Sequence, residues 1–258
     1  MRLEVLPTRT AGAAENMAVD FMMLQRYPRE DVSRFRHYGW RAPAFTFGYS
    51  QKIAFVRTVL PAGETFDLCR RPTGGGLVDH RDDWTFSLVI PRGHALEEVR
   101  ATQSYREIHE RLAEALRHQG VPAVIQKIAA TSLAEEAGSK ARSARAQPAP
   151  KSQNAGDALS GICFERAELY DVVHAETGEK ISGAAQKRNK RGLLFQGSLW
   201  RPALRRAIDE ERLLADFVGQ LSSALDTPSI EVPWPEFNED EVLNLTENYA
   251  SPEWVELR

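Results

Sequence analysis

A run of two arginines and three glycines is the stretch of this chain best suited to bind an oxygen-rich group. It reads Arg70-Arg71-Pro72-Thr73-Gly74-Gly75-Gly76 and follows a short extended segment. Glycines allow positive φ and a close approach to a bound molecule, and arginine forks bind phosphate, carboxylate or carbonyl oxygens. The run is not a P-loop, because no Lys-Ser/Thr pair follows the glycines. Taken alone, it is equally typical of a flexible surface turn.

A lysine among small residues is the second candidate for chemistry. Lys180 stands in Gly178-Glu179-Lys180-Ile181-Ser182-Gly183-Ala184-Ala185-Gln186. A buried ammonium needs an oxygen-rich partner, whereas a solvent-facing strand lysine needs none. The small side chains at positions 182–185 leave room for a ligand beside the strand, which favours a lysine that faces a cleft.

The chain contains two cysteines, Cys69 and Cys163, which is too few for a disulfide framework and is typical of a reducing cytoplasm. Cys69 alternates within an extended segment, so we expect it to pack in the core. Cys163 is either a small buried hydrophobic residue or a nucleophile. Its position at the edge of a segment without apolar periodicity favours the nucleophile.

Composition excludes several classes of protein. The chain has 258 residues and a net charge of −3, so bulk charge indicates no nucleic-acid surface. No segment is long and apolar enough to span a bilayer, and the first residues lack the apolar run of a secretory signal. We expect a cytoplasmic protein that is a monomer and has no membrane contact.

Apolar periodicity predicts strands and helices in mixed order. The order lacks a regular βαβ repeat, so we predict an α+β fold with a mixed, largely antiparallel central sheet flanked by helices. Residues from about 129 to 160 are rich in Ala, Ser, Lys, Gln and Pro, which indicates a mobile insertion. The predicted helices cover 14–27, 97–119, a stretch from Pro202 to Leu225, and a stretch that begins after Asn238; the main strands cover 34–38, 44–49, 84–90, 169–173 and 193–199.

Several motifs occur in one order along nearly the whole chain apart from the insertion. After the glycine run come His80, Lys-Ile-Ser-Gly-x-Ala-Gln at Lys180–Gln186, and a Gly-Ser pair at Gly197-Ser198. Together they resemble the lipoate/biotin protein ligase and octanoyltransferase superfamily. The resemblance implies one acyl-transfer catalytic domain over 1–258, without a C-terminal accessory domain.

The resemblance also implies roles for individual residues. Cys163, followed by Phe164, is similar to the nucleophile of the cysteine-dependent octanoyltransferases, and Lys180 would stabilise the oxyanion. The remaining implied site residues would bind substrate, and no metal is implied for this reaction; they are Arg70, Arg71, Thr73, Gly74, Gly75, Gly76, His80, Gly183 and Gln186.

The superfamily contains two chemistries, and both stay open at this point. In the first, octanoyl or lipoyl groups pass from an acyl-carrier-protein thioester to a lysine of a lipoyl domain or of glycine-cleavage H protein, without a cofactor. In the second, ATP and Mg activate the free acid as an acyl-adenylate. Cys163 and the spacing from His80 to Ser87 resemble the first. A non-catalytic relative that only binds lipoyl domains is a third alternative.

We expect the acyl chain to lie along the early strands, with Phe45, Phe47 and Tyr49 as its lining. The basic run from Lys187 to Arg191 is typical of a solvated hairpin tip, and it could also meet an acidic partner protein. One departure from the superfamily pattern stands beside the Gly-Ser pair: Gln196 occupies a position that often holds histidine.

Overall fold

A computed structural model describes residues 1–127 and 167–257, which form two β-sheets with helices packed on them. The strands are β1 Arg2–Ala11, β2 Val32–Trp40, β3 Ala44–Phe47, β4 Asp67–Arg70, β5 Leu77–Asp79, β6 Asp83–Pro91, β7 Ala123–Ile125, β8 Val172–His174, β9 Lys180–Asn189, β10 Gly192–Trp200 and β11 Ser229–Glu231. The helices are α1 Ala13–Gln25, α2 Ile53–Val59, α3 Ala95–Glu98, α4 Ala101–His118, α5 Glu210–Ala224, α6 Glu239–Ala250 and α7 Pro252–Val255.

The larger sheet has eight strands in the order β11-β1-β2-β6-β10-β9-β8-β7. β1 pairs in parallel with β11 and β2, and the other neighbours in this sheet pair antiparallel. The predicted α+β class with a largely antiparallel sheet is therefore confirmed.

Helices cover both faces of the central strands, so β6 and β10 are buried on both sides. On one face, Phe86 and Phe195 belong to a core cluster that includes Ile108 of α4 and Phe217 of α5. On the other face, Leu194 packs with residues of α1. Successive strand residues point to opposite faces, and this is why alternate residues of β10 enter different clusters.

The smaller sheet, β4-β3-β5, carries the glycine run between two of its strands. β3 pairs in parallel with β4 and antiparallel with β5, and residues 71–76 connect β4 to β5. Phe45, Phe47 and Leu77 form a small core with residues of α2. This second sheet therefore fixes both ends of the glycine run against a packed support.

Two predicted helices differ from the observed ones. The segment predicted as one helix over 97–119 is divided into α3 and α4, because Val99 and Arg100 have extended backbone. The helix predicted to begin at Pro202 begins at Glu210 instead. Pro202 lies in a 3-10 turn that ends at a left-handed Arg205, and the Asp209 side chain then caps α5 by accepting the Arg212 N–H.

The last long helix agrees with its sequence signature. The Asn238 side chain accepts the Glu241 N–H at 2.9 Å, which caps the first turn of α6. No helix of the described residues is long and apolar enough to cross a membrane. The predicted insertion at 129–160 lies outside the residues that the structure describes.

Candidate active site

The Arg71 guanidinium organises the glycine loop, residues 71–76, from inside. Its Nη2 donates to the carbonyls of Gly74 and Gly76, both at 2.9 Å, and its Nη1 donates to the Thr46 carbonyl at 2.9 Å. These bonds turn two loop carbonyls towards Arg71. In a trans peptide the N–H points opposite to the preceding C=O, so the Gly75 N–H is directed away from the arginine.

Close backbone packing explains two of the glycines around this loop. A Cβ on Gly48 would lie 2.0 Å from the Gly75 carbonyl oxygen, which no side chain could tolerate. Gly75 itself has φ of 89°, a left-handed conformation that favours glycine. The loop and the end of β3 thus require glycine on both sides of their contact.

A buried chain of hydrogen bonds links the loop to an acidic residue of β6. Arg71 Nη1 donates to Thr46 Oγ1 at 2.8 Å, Thr46 Oγ1 lies 2.7 Å from His80 Nε2, and His80 Nδ1 lies 2.6 Å from Asp83 Oδ2. Arginine can only donate, so the Thr46 hydroxyl oxygen accepts from Arg71 while it also contacts the His80 ring. Asp83 also accepts from Thr85 at 2.8 Å and from Ser198.

Lys180 lies at the start of β9 and is paired with Asp171. The ammonium is 2.7 Å from Asp171 Oδ2, and both side chains are at least nine-tenths buried. The same carboxylate oxygen accepts the Glu168 N–H at 2.7 Å. A Cβ on Gly183 would lie 2.6 Å from Lys180 Cε and 2.7 Å from its Nζ, so the pair occupies the space that glycine leaves open.

A second buried network ties the loop to α1. Asp20 is fully buried in α1, where it pairs with Arg36 at 2.8 Å and accepts from Gln196 Nε2 at 2.6 Å. Gln196 Oε1 in turn accepts the Thr73 hydroxyl at 2.7 Å. Gln196 therefore connects the loop to a charged pair in the core through its two amide atoms.

Some residues of each of these networks border one cavity of about 510 Å³, a size typical of small-molecule sites. The glycine loop, the His80 ring and the Lys180–Asp171 pair line it together with apolar side chains, so the cavity joins a mostly apolar wall to a few polar groups. Its lining includes Met17, Tyr38, Trp40, Thr46, Arg71, Gly75, Gly76, Val78, His80, Thr85, Tyr105, Leu169, Asp171, Lys180, Gly183, Ala184, Ala185, Gln196, Gly197 and Ser198.

Two predicted substrate-binding residues bond to other parts of the protein and do not face this cavity. Arg70 is fully buried and donates to the main-chain carbonyls of Tyr49, Gln51, Trp254 and Val255 at 2.7–3.1 Å, which attaches the C-terminal helix to β4. The Gln186 side chain bonds to residues 101 and 104 of α4. Neither residue lines the cavity.

Thr73 and Gly74 support the loop from behind the lining, whereas Gly75 and Gly76 line it directly. The three residues predicted to line the acyl chain do not line this cavity: Phe45 and Phe47 belong to the small core beside α2, and the Tyr49 ring is tilted against Trp254. The aromatic wall of the cavity comes from Tyr38, Trp40 and Tyr105 instead.

The basic run predicted as a hairpin tip is largely part of β9. Only residues 190 and 191 form the turn, whereas Lys187 Nζ donates to the Pro72 carbonyl at 3.3 Å and Arg188 to the Val99 carbonyl at 2.7 Å. Two of the four cations are thus bonded to the protein's own backbone.

Only one of the two cysteines lies among the residues that the structure describes. Cys69 lies buried in β4, and burial raises the pKa of its thiol to about 12. Its predicted packing role is confirmed. Cys163 lies outside the described residues, so its role as a nucleophile stays a prediction.

Residues 12–201 match the family described as the lipoyl protein ligase A/B catalytic domain. The chain belongs to this family. An octanoyltransferase LipM from Geobacillus kaustophilus is 31% identical over 208 residues, which cover 79% of this chain and 65% of that protein. The chain thus spans slightly less than two thirds of that relative's length.

Two solved structures share the fold of this family member. A bipartite lipoate protein ligase with its E2 lipoyl domain from Thermoplasma acidophilum aligns with a TM-score of 0.69 and 18% identity, over 100% of this chain and 98% of that one. A lipoate-protein ligase A bound with ATP aligns with a TM-score of 0.66 and 19% identity, over 100% and 99%.

Sequence reasoning missed several residues of the site. Asp171 falls in a segment that was interpreted only as a strand, although a buried Lys180 demanded an oxygen-rich partner. Thr46 and Asp83 carry no motif of their own, and only the through-space contact with His80 identifies them.

Proposed function

We propose that this protein is a protein N-octanoyltransferase that forms an acyl-enzyme at Cys163. The donor is an octanoyl thioester of acyl carrier protein, and the acceptor is a lysine of a lipoyl domain or of glycine-cleavage H protein. The observation that carries the proposal is the buried Lys180–Asp171 pair beside the glycine loop in a mostly apolar cavity.

The charges around the cavity favour a neutral substrate carbonyl over an adenylate phosphate. Asp171 balances the Lys180 ammonium at 2.7 Å, and two carbonyls of the glycine loop accept from the Arg71 guanidinium. Burying a phosphate here would require charge compensation, whereas the charge of Lys180 is already balanced by Asp171 and the Arg71 N–H groups already donate to backbone carbonyls. A thioester carbonyl brings no net charge and needs only hydrogen-bond donors.

The reaction consists of two acyl-transfer steps, each of which breaks a thioester bond. The Cys163 sulfur attacks the octanoyl carbonyl, the bond to the pantetheine sulfur breaks, and the cysteine proton ends on the leaving thiol. The neutral amine of the acceptor lysine then attacks the new thioester. The bond to Cys163 breaks, an amide forms, and the amine proton returns to the cysteine thiolate. Neither step needs ATP or a metal.

In this proposal the Gly75 N–H and the Lys180 ammonium stabilise the oxyanion of both steps. Gly75 and Lys180 both line the cavity, and the Arg71 guanidinium holds the Gly74 carbonyl of the peptide that carries the Gly75 N–H. Donors fixed before the reaction stabilise the developing negative charge most effectively, and the loss of one costs about 10²–10³-fold in rate. Because Arg71 and Thr46 fix the loop, its N–H groups need no reorganisation.

Intact mass spectrometry after mixing with octanoyl-acyl carrier protein tests the proposal. We expect one octanoyl adduct on the wild-type chain and none on Cys163→Ala. Cys69→Ala is the matched control, since Cys69 is the other cysteine and lies in the core. It should form the adduct as the wild type does. Wild-type-rate octanoyl transfer by Cys163→Ala to an apo lipoyl domain would contradict the acyl-enzyme.

An assay with the same acceptor tests the ATP-dependent ligase reaction. Octanoate and ATP, with Mg²⁺ and an apo lipoyl domain, should give no octanoylated domain if the thioester is the donor. Product from this mixture together with no product from octanoyl-acyl carrier protein would assign the ligase reaction instead. Binding of the lipoyl domain without product from either donor would indicate a non-catalytic relative.

A further inference from the structure

A buried imidazole on α4 contacts the segment that carries Asp171. His109 is fully buried, does not line the cavity, and its Nδ1 lies 2.7 Å from the Tyr170 carbonyl oxygen. A carbonyl only accepts hydrogen bonds, so Nδ1 carries the hydrogen. Among the described residues, no group bonds to Nε2. Within this part of the chain the ring is held through one donor atom.

The surroundings of the imidazole favour its neutral form. Burial lowers the pKa of His109, against opposing effects of the nearby Asp171 and of the bond to Tyr170, and the Lys180 ammonium lowers it further. A protonated ring would place a second N–H where the described residues offer it no acceptor. The neutral Nδ1–H tautomer is the one that matches these surroundings.

Tyr170 has a backbone conformation that needs support. Its φ is 71°, a left-handed value that is uncommon for a residue other than glycine, and it directly precedes Asp171. Its N–H donates to the Gln126 carbonyl at 2.8 Å, and the Gln126 N–H donates to the Asp171 carbonyl at 2.8 Å. His109 supplies the bond on the remaining side, at the Tyr170 carbonyl. The direction in which the Asp171 side chain leaves the backbone depends on this turn.

We infer that His109 is a positioning residue, which holds the Tyr170 carbonyl and thereby aims the Asp171 carboxylate at Lys180. The inference rests on the proposed function only in making Lys180 an oxyanion donor. Packing alone would not require histidine, because the ring contacts the aromatic groups Tyr105 and Phe195 at centroid distances of 5.8 and 5.6 Å. An apolar side chain would satisfy those contacts and leave the carbonyl unbonded.

The substitutions His109→Asn and His109→Leu separate the hydrogen bond from packing. Both side chains have four heavy atoms with a branch at Cγ and lack the two outer ring atoms of histidine, but only Asn carries an N–H close to the Nδ1 position. We expect His109→Leu to lose at least 10-fold in kcat with KM within about twofold of wild type. A misplaced catalytic group has effects of this size. His109→Asn should recover most of kcat. Equal losses in both variants would overturn the inference.

The route through Asp171 has its own readout. If His109 acts through that carboxylate, His109→Leu should cost little more kcat in an Asp171→Asn background, since residues that act as a unit are not additive. Full additivity of the two losses would overturn the route.

A third measurement does not use octanoyl transfer at all. Acetylation of Lys180 by acetic anhydride, followed by peptide mass spectrometry, should be several-fold faster in His109→Leu than in wild type or His109→Asn. The same rate in all three proteins would overturn the inference. If wild type fails to transfer octanoate but the labelling rates differ as expected, the proposed function fails and the positioning role stands.

Discussion

The Lys180 ammonium and the Asp171 carboxylate meet at 2.7 Å beside the Cα of Gly183. Lys180 and Gly183 both lie on β9, whereas Asp171 precedes β8. The pair therefore crosses from one strand to the next over a position without a side chain. Each buried charge is stable only while its partner is in reach, and the pair in turn needs the space that Gly183 leaves open.

Gly183→Ala should abolish most of the activity without unfolding the protein. The new methyl group would lie within 2.7 Å of both Lys180 Cε and Nζ, so the flexible lysine must move and leave Asp171. Loss of an oxyanion donor predicts a fall of about 10²–10³-fold in the rate of octanoyl adduct formation. Rapid-quench mass spectrometry measures that rate, and circular dichroism at the same time checks the fold.

Gly219→Ala is the control for this substitution. Gly219 is exposed in the helix α5, and a Cβ there meets nothing within 4 Å. It should leave the rate unchanged and raise the free energy of unfolding by about 0.5–1 kcal/mol, because alanine favours the helix. A Gly183→Ala protein that forms adduct as fast as Gly219→Ala would show that the Lys180–Asp171 pair has no part in the reaction.

Thr46→Val should loosen the glycine loop. Thr46 is fully buried, and its hydroxyl accepts from Arg71 and lies 2.7 Å from His80 Nε2. Valine has nearly the same shape but leaves buried polar atoms unbonded, which costs about 1–3 kcal/mol of unfolding free energy. We also expect at least a 10-fold lower kcat. Thr46→Ser keeps the hydroxyl and should retain most of both quantities, as chemical denaturation and steady-state kinetics can check.

The hydrogen-bonded series of the Thr46 hydroxyl, the His80 imidazole and the Asp83 carboxylate has the same order of groups as the triad of a serine protease. Thr46 differs from a nucleophile because it is fully buried and is bonded to Arg71. If this series were a catalytic triad, Thr46→Ser would react with an acyl donor and Cys163→Ala would keep an acyl adduct. An adduct mapped to residue 46 would therefore contradict the supporting role.

The strands and the core were predictable because alternation of apolar residues is a local property of the sequence. Alternation also explains why only one of two adjacent arginines lines the cavity. Successive residues at the end of β4 point to opposite sides, so Arg71 reaches the cavity loop while Arg70 points to the C-terminal segment. Arg70 and Arg71 are indistinguishable in the sequence, and only the sides of the sheet to which they point distinguish them.

The partners of the predicted residues were not predictable for a different reason. His109 and Tyr170 are 61 positions apart, and Thr46 and His80 are 34 apart. No periodicity relates such positions, since the contact depends on how α4 and the two sheets pack. Lys180 and the glycine loop were found because a lysine among small residues and a run of three glycines are conspicuous in the sequence, whereas Thr and Tyr are ordinary strand residues.

Alkylation of the native protein should distinguish the two cysteines. Burial raises the pKa of Cys69 to about 12, so its thiol stays protonated and inaccessible at pH 8. The thiolate is the reactive form, and we therefore expect iodoacetamide to label Cys163 alone in the folded protein. Both should react in denaturant. Peptide mass spectrometry locates the label, and native labelling of Cys69 as fast as Cys163 would contradict the predicted difference.

Acid should destabilise the protein partly through His109. Burial holds the pKa of this residue below 6.5, whereas in the unfolded chain the pKa returns to about 6.5. The unfolded state therefore binds more protons as the pH falls below about 6.5, and the free energy of unfolding declines by up to about 1.4 kcal/mol per pH unit for each such group. Chemical denaturation at intervals from pH 7.5 to 5.5 measures the decline.

The variant His109→Asn isolates this contribution. It removes one titrating group and keeps a donor for the Tyr170 carbonyl, so its free energy of unfolding should fall less steeply over the same interval. Burial also lowers the pKa of His37, and the Thr85 carbonyl bond and nearby charges only partly oppose that effect, so the slope should decrease without vanishing. A His109→Asn slope equal to that of wild type would show that the imidazole is already protonated in the folded protein. That result would contradict the neutral tautomer assigned to it.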